Sequence, residues 1–537
     1  MLRSDHSSKY DQLKKDLRTA GEQLFTALDR YTGICSTVRN AYHQASFNNP
    51  QSARLLWSSV ESELFLIPLL EARVGEVAQN LNRVFEMGKA KDSPHSIHDL
   101  PDELLALVFR FAAVAKSQHF ESTDKPMTRT VPRYPDSIAQ TCARWRQVAL
   151  PCPHLWTRVY LTAHLTRFKP IPNYAELYAK RAGHQPLELR ITDIQDDMGP
   201  DDDGLEQFIA SVAPRTKSLE LVRSGLYPSG FEWKTLGGFI KPPNDNAKKW
   251  DTEVDLSLEQ IERGLAHLTV LHVSQITPMW GSTACQGLVD LRLIPNHKRT
   301  YDRPIITVPE FVSILQASPR LRILHFGLYL CMFPPDSPAQ GVTVRLNDLE
   351  VLYLSASGTR GAEATEREIS HVMRHITPGR KPLRLTLDRV HYEDRSALEG
   401  IEAFFQRAHI VKFCAKGGTP PPVGLVDCAP DLTQLVFDGC RYDHTYNFCR
   451  TRGWLIGIYS WIIRDSLIYA EDLAELVNQY EAVSLVMSNC RFFSKDNGPL
   501  EISEPDLENW RCELPDFVQY IYPDSSPDPT VDWNNLD

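Results

Sequence analysis

One pattern limits this chain more than any other: a leucine template that returns along it at long intervals. Leu268-x-x-Leu271-x-Val273, Leu288-x-x-Leu291-x-Leu293, Leu321-x-x-Leu324-x-Phe326, Leu349-x-x-Leu352-x-Leu354 and Leu432-x-x-Leu435-x-Phe437 are its full copies. Shorter ones stand at Leu187-x-Leu189, Leu219-x-Leu221, Leu383-x-Leu385, Val411-x-Phe413 and Val483-x-Leu485. Alternation with a period of two makes each pair one buried face of a strand. The first residues of the pairs, 187, 219, 271, 291, 324, 352, 383, 411, 435 and 483, are separated by 32, 52, 20, 33, 28, 31, 28, 24 and 48 residues. A motif at such a period marks a stacked array, in which each unit buries its apolar face only against its neighbours. The two steps near 50 hold either a degenerate unit or an insertion.

The intervals carry helix and turn signals. Pro309–Leu315 has helical spacing, Ser318-Pro319 ends it, and Leu321 opens the next strand. Asp472–Val477 before Val483 repeats the arrangement, while Asp438-Gly439-Cys440 and Ser488-Asn489-Cys490 supply turn residues. Most steps lie near the roughly 20–29-residue period of leucine-rich repeats, lengthened by loops. Residues 166–495 therefore resemble an irregular leucine-rich-repeat solenoid, an α/β fold. The Pro- and Gly-rich stretches Tyr227–Asp245, Phe333–Gly341 and Gly417–Gly424 read as loops within it. Residues between the leucines, such as Thr269, His272, Asp290, Arg292, Arg322, His325, Glu350 and Tyr353, would face a ligand, but they name none.

Ile97–Trp156 follows a different pattern. Pro101 suits the first turn of a helix, where a missing N–H costs nothing, and Asp102 and Glu103 suit its positive end. Leu104, Leu105, Val108, Phe109 and Ala112 then form a wide apolar stripe. A second stripe, Ile138, Cys142, Trp145 and Ala149 with Val148 beside it, steps by 4, 3 and 4 to a stop at Pro151 and Pro153. About 60 residues enclose little interior, so some of this surface is expected to meet a partner. Two ordinary core-facing helices are the alternative that periodicity leaves open.

Leu100-Pro101-x-Glu103-Leu104-Leu105-x-x-Val108-Phe109, then Cys142-x-Arg144-Trp145-Arg146-x-Val148-Ala149, then Leu155-Trp156, resembles an F-box. It is similar to the fungal type in carrying a polar insertion, here Ser117–Pro135, and departs from the family at Thr141, where an apolar residue is usual. The F-box is the helical module by which substrate receptors dock on the Skp adaptor of cullin–RING ubiquitin ligases. The resemblance implies adaptor contacts through Leu100, Pro101, Glu103, Leu104, Leu105, Val108, Phe109, Cys142, Trp145, Val148, Leu155 and Trp156. It implies a Skp adaptor and cullin complex as partners, with the repeats holding a protein substrate. The other subunits would transfer ubiquitin, so this chain would act by proximity rather than catalysis. The insertion and Thr141 keep a second expectation open: a protein-interaction scaffold with a degenerate F-box and no ligase role.

Four regions follow: a helical segment at 1–92, the F-box-like module at 93–165, the repeat array at 166–495 and an acidic tail at 496–537. Within the first, Leu13, Leu17, Ala20, Leu24, Ala27, Tyr31, Ile34, Val38 and Ala41 alternate steps of 4 and 3. A second run from Val60 to Phe85 keeps the rhythm after the turn Ser46–Pro50. The short turn favours an antiparallel helical hairpin; self-association through residues 10–85 is the alternative. The last fifteen or so residues of the tail, rich in Asp, Pro and Ser, read as disordered.

Composition narrows the function classes. A net charge of −10 argues against a general nucleic-acid binder. Eleven cysteines without a C-x-x-C fit reduced thiols in cytoplasm or nucleus, and the N-terminus lacks the apolar core of a secretory signal. The most apolar window, Trp454–Ile463, is about half the length a spanning helix needs, so no membrane role is expected. The acidic run Asp196–Gly204 lacks Ca-loop spacing. Cys440, His444 and Cys449 lack the paired spacing of a zinc site. No phosphate loop, nucleophile elbow or H-E-x-x-H occurs, so neither enzyme activity nor a metal or cofactor is expected.

Overall fold

The computed structural model describes residues 15, 19, 23, 30, 97, 100–118, 134–162, 173–193, 203–223, 258–274, 278–294, 305–331, 341–356, 362–392, 395–441, 460–469, 484–493, 518–521, 530 and 533. The chain divides into two units, Met1–Asp99 and Leu100–Asp537. In the first, Lys15, Thr19, Gln23 and Arg30 are helical and exposed. The rest of the expected hairpin or self-association seam lies outside the described residues. So do most of the Ser117–Pro135 insertion, the helix expected at Asp472–Val477 and the loop Tyr227–Asp245.

The second unit is mixed α/β, organised on one large parallel sheet. It opens with α1 (Asp102–Gln118), α2 (Tyr134–Thr141) and α3 (Ala143–Ala149), followed by strand β1 (Arg158–Thr162). Then come α4 (Asn173–Arg181), β2 (Leu187–Asp193), α5 (Asp203–Val212), β3 (Thr216–Arg223), α6 (Leu258–Leu265), β4 (Val270–Ser274) and β5 (Asp290–Ile294). The middle holds β6 (Ile305–Thr307), α7 (Val308–Ala317), β7 (Ile323–Phe326), β8 (Tyr329–Cys331), β9 (Val344–Leu346) and β10 (Val351–Ser355). Next are α8 (Ala362–Arg374), β11 (Ile376–Pro378), β12 (Leu383–Asp388), α9 (Arg395–Arg407), β13 (Ile410–Lys416) and α10 (Val423–Asp427). The unit closes with β14 (Gln434–Asp438), β15 (Ser460–Arg464), β16 (Leu467–Tyr469), β17 (Leu485–Ser488), β18 (Arg491–Phe493) and β19 (Val518–Ile521).

Thirteen described strands join in the order β1-β2-β3-β4-β5-β7-β10-β12-β13-β14-β15-β17-β19, so each neighbour in space is the next main strand in sequence. Three short pairs, β6 with β8, β9 with β11 and β16 with β18, are parallel as well. The leucine template sets this register. Nine of its ten pairs lie inside strands, and the tenth reaches β17 at Leu485. In β4 and β5 the template residues Leu271, Val273, Leu291 and Leu293 belong to one core, which also takes in helix residues such as Phe311, Leu315, Phe404 and Phe405. That core runs without a break from Leu105 to Met487.

The two long steps have different contents. β3 pairs directly with β4, with no strand described between them, so the step of 52 is an insertion. The step of 48 contains β15, whose Trp461 and Ile463 fill the leucine positions and are both buried. The sheet also passes both expected limits: β1 precedes residue 166, and β19 falls in the segment read as an acidic tail. The expected single helix through Ile138 and Ala149 is two. Cys142 is extended (φ −155°, ψ 171°) and caps α3, its Sγ accepting the Trp145 N–H at 3.4 Å.

Thr307 and Glu310 form a capping box at the start of α7, and Ser318 ends the helix where Ser318-Pro319 placed its stop. A column of left-handed turn residues closes successive strands: Arg389 (φ 62°), Gly417 (65°), Gly439 (66°), Asp465 (50°) and Asn489 (51°). The first four donate their N–H to the last residue of the next strand, at 2.6, 2.8, 2.9 and 3.0 Å, to Lys416, Asp438, Arg464 and Ser488. Beside this column Gly418 leaves no room for a side chain. A Cβ there would meet the Val390 carbonyl oxygen and lie 2.8 Å from the Val390 nitrogen. Gly418→Ala is therefore expected to cost about 1–3 kcal/mol through overpacking against backbone. An unchanged thermal midpoint would show that this turn yields.

Candidate functional site

Helix α1 has two apolar sides. One carries Leu105 and Phe109, both buried, with the Phe109 ring 4.9 Å from that of Trp145. The other carries Leu104, Leu107, Val108 and Phe111 at the i, i+3, i+4, i+7 spacing that aligns side chains along one stripe. These four are exposed, Leu104 by 49% and Phe111 by 67%. They make up half of the exposed large apolar side chains among the described residues, the others being Ile97, Leu177, Met279 and Ile305. Arg144 fixes the start of the helix: its Nη2 donates to Asp102 Oδ1 at 2.8 Å and also to the Leu100 carbonyl.

The residues expected to touch an adaptor therefore fall into two sets. Pro101, Glu103, Leu104 and Val108 are exposed, and Leu100, Cys142 and Trp145 are half-buried. Leu105, Phe109, Val148, Leu155 and Trp156 are buried within the unit's own core, so they pack inward and not at its surface. For Trp156 the cover includes α4 and the end of α3. Trp156 lies edge-on to Tyr178 (5.0 Å, 77°), under the Arg181 guanidinium (4.3 Å), and donates from Nε1 to the Ala149 carbonyl at 3.0 Å. Leu107 and Phe111 were missed in the sequence, although their spacing to Leu104 was the available signal.

A second surface is the sheet face opposite the core. Strand register aligns one row across it: Tyr160, Arg190, Glu220, His272, Arg292, His325, Tyr353, Thr386, Cys414, Val436, Ile462, Val486 and Gln519. Its first half is polar and internally paired. Arg292 donates from Nε and Nη2 to the two oxygens of Asp290 (3.0 Å each), and His272 Nε2 lies 3.1 Å from Asp290 Oδ2. Burial pushes the Asp290 carboxyl up, but the His272 ring and the Arg292 charge outweigh it and lower its pKa to about 2. Arg322 binds Glu350 through two hydrogen bonds (2.9 and 3.1 Å), joined by Lys381 Nζ at 2.8 Å. Tyr353 and Ser355 donate to Asp388 Oδ2 at 2.7 and 2.9 Å. Asp290, Arg292 and His325, expected to face a ligand, are buried, the His325 ring against that of Tyr353 (5.2 Å).

In its second half the row turns apolar at Cys414, Val436 and Ile462. These do not join the main core; Cys414 and Val436 cluster with Trp533, and Ile462 packs against them. Among the described residues no group of three or more His, Cys, Asp and Glu side chains could hold a metal ion, and no helix is long and apolar enough to cross a membrane. Cys440 is buried, its Sγ donating to the Ala415 carbonyl at 3.3 Å, and burial pushes its thiol up. His444 and Cys449 lie outside the described residues. No protein-family model matches the chain, and no curated protein matches it.

Proposed function

We propose that this chain is the substrate-recognition subunit of a Skp–cullin–F-box ubiquitin ligase. In this reading α1–α3 are an F-box-like module and the sheet with its helices is an irregular leucine-rich-repeat solenoid. The observation that carries it is the exposed stripe Leu104, Leu107, Val108 and Phe111, lying on the helix that bears the Leu-Pro-x-Glu-Leu-Leu match. An exposed apolar stripe of this kind marks an interaction site. Covering it would contribute on the order of several kcal/mol at about 25 cal/mol per Å². The sheet's far face, rich in paired charges, would recognise a protein substrate, and ubiquitin transfer would belong to the other subunits.

The scaffold without a ligase role is favoured by one observation: Leu105, Phe109, Leu155 and Trp156 are satisfied without a partner. Affinity purification under proteasome inhibition separates the readings, comparing wild type with Leu104→Asp/Val108→Asp. Leu105 is left alone because a carboxylate there would enter the core. Adaptor and cullin are expected with wild type and at least about tenfold less with the variant, equivalent to ~1.4 kcal/mol, at an unchanged thermal midpoint. Equal recovery from both overturns the docking role of the stripe. Absence of the adaptor from both leaves the scaffold.

A further inference from the structure

The apolar end of the far-face row has an occupant. Trp533 is 3% exposed, although it lies beyond β19, and what covers it includes Cys414 and Val436, themselves almost wholly buried on the side of the sheet away from the main core. Trp533 N–H donates to the Thr530 carbonyl at 2.9 Å, a local turn, and the Trp533 carbonyl accepts from Arg384 Nη1 at 3.1 Å. Lys412 Nζ stands 5.8 Å from the ring centroid, within range of a cation–π contact. Arg384 and Lys412 are register partners one row above Thr386 and Cys414, so the seat is apolar at its floor and basic along one edge. The segment is complementary in sequence: after Arg511 the chain has no Lys or Arg, and Asp524, Asp528, Asp532 and Asp537 flank Trp533 along the chain. The seating is incomplete, because the buried Trp533 Nε1 has no hydrogen-bond partner among the described residues.

We propose that this seat is a binding site for an acidic peptide segment carrying a tryptophan, and that Trp533 occupies it as a self-ligand which a partner's segment displaces. The inference rests on reading the sheet face as a recognition surface and names the class of substrate that face takes. The aromatic ring supplies the anchor, and the acidic flanks, drawn by Arg384 and Lys412, set orientation and rate of capture. An indole N–H that finds no acceptor here leaves a better ligand something to gain.

The test uses the full chain and, as probe, a labelled peptide of residues 524–537. Trp533→Ala is expected to bind it at least tenfold more tightly than wild type, and more weakly as salt rises. A peptide with alanine in place of its tryptophan is expected not to bind. Cys414, shielded in wild type, is expected to react faster with a maleimide in Trp533→Ala and in Arg384→Glu/Lys412→Glu, as followed by peptide mapping. Added peptide should restore the protection in Trp533→Ala. Equal affinity of wild type and Trp533→Ala, or unchanged Cys414 labelling in both variants, overturns the proposal. So does a Trp533→Ala chain that does not fold, since Trp533 would then be a structural core residue. A wild-type dimer that is lost on Trp533→Ala would make a second copy the occupant and overturn the self-ligand. None of these readouts involves the adaptor, so failure of α1 docking leaves them unaffected.

Discussion

Replacing Trp156 with alanine is expected to destabilise the junction between the helices and the sheet by about 3–5 kcal/mol, the range for emptying a large aromatic site in a core. Trp156 is fully buried and holds three elements at once. It follows the short 3-10 turn Pro153–Leu155, packs edge-on to Tyr178 of α4, and ties α3 through its hydrogen bond to Ala149. Truncation would leave a cavity that α1 and α4, both anchored elsewhere, cannot fill. It would also deprive the Ala149 carbonyl of its donor from the ring. Trp156→Phe keeps part of the packing and should fall between the two. Urea unfolding followed by limited proteolysis reads the effect, because a unit built on so long a sheet need not unfold in one step. The early cleavages should move into 134–162. A Trp156→Ala chain as resistant as wild type would mean that the helices do not share the sheet's core.

This junction also shows why the sequence was legible in some places and not in others. Template leucines such as Leu271, Leu291 and Leu352 announce strands because each must fill the same inward position, and all three are buried in strands at the expected place. β15 escaped the template because Trp461 and Ile463 fill those positions equally well, and the position demands volume rather than leucine. β19 escaped because Val518–Ile521 is short and set among acidic residues; its strand pairing comes from β17, which local composition does not report. Helix α1 was legible in its span but not in its orientation. The 3.6 period permits a stripe through Leu105 and Phe109 or one through Leu104 and Phe111, and which is covered is decided by elements further along the chain, among them α3, whose Trp145 ring packs on Phe109. Long-range pairing explains the far face in the same way. Arg322 and Glu350 are 28 residues apart, and Arg384 meets Trp533 across 149.

Asp290→Asn should cost about 3–5 kcal/mol, since it removes a carboxylate that holds a buried guanidinium through two hydrogen bonds. The side chain keeps its shape, but its NH2 now faces donors from Arg292 and the ring of His272, where both oxygens had accepted or paired at 3.0–3.1 Å. The pH dependence separates charge from shape. The folded Asp290 carboxyl is depressed to about 2, whereas an unfolded Asp titrates near 4 (~3.9). A depressed acid binds its proton more readily in the unfolded chain, so its contribution is complete above about pH 4 and is lost as the pH falls through 2. The gap in stability between wild type and Asp290→Asn should therefore not narrow between pH 8 and 4, and should close below that. A double variant, Asp290→Leu/Arg292→Met, removes both partners and should recover much of the loss, because an apolar pair carries no unpaired charge. A gap that narrows well above pH 4, or a double variant no better than Asp290→Asn, would show that this network is held by packing and not by the buried charge pair.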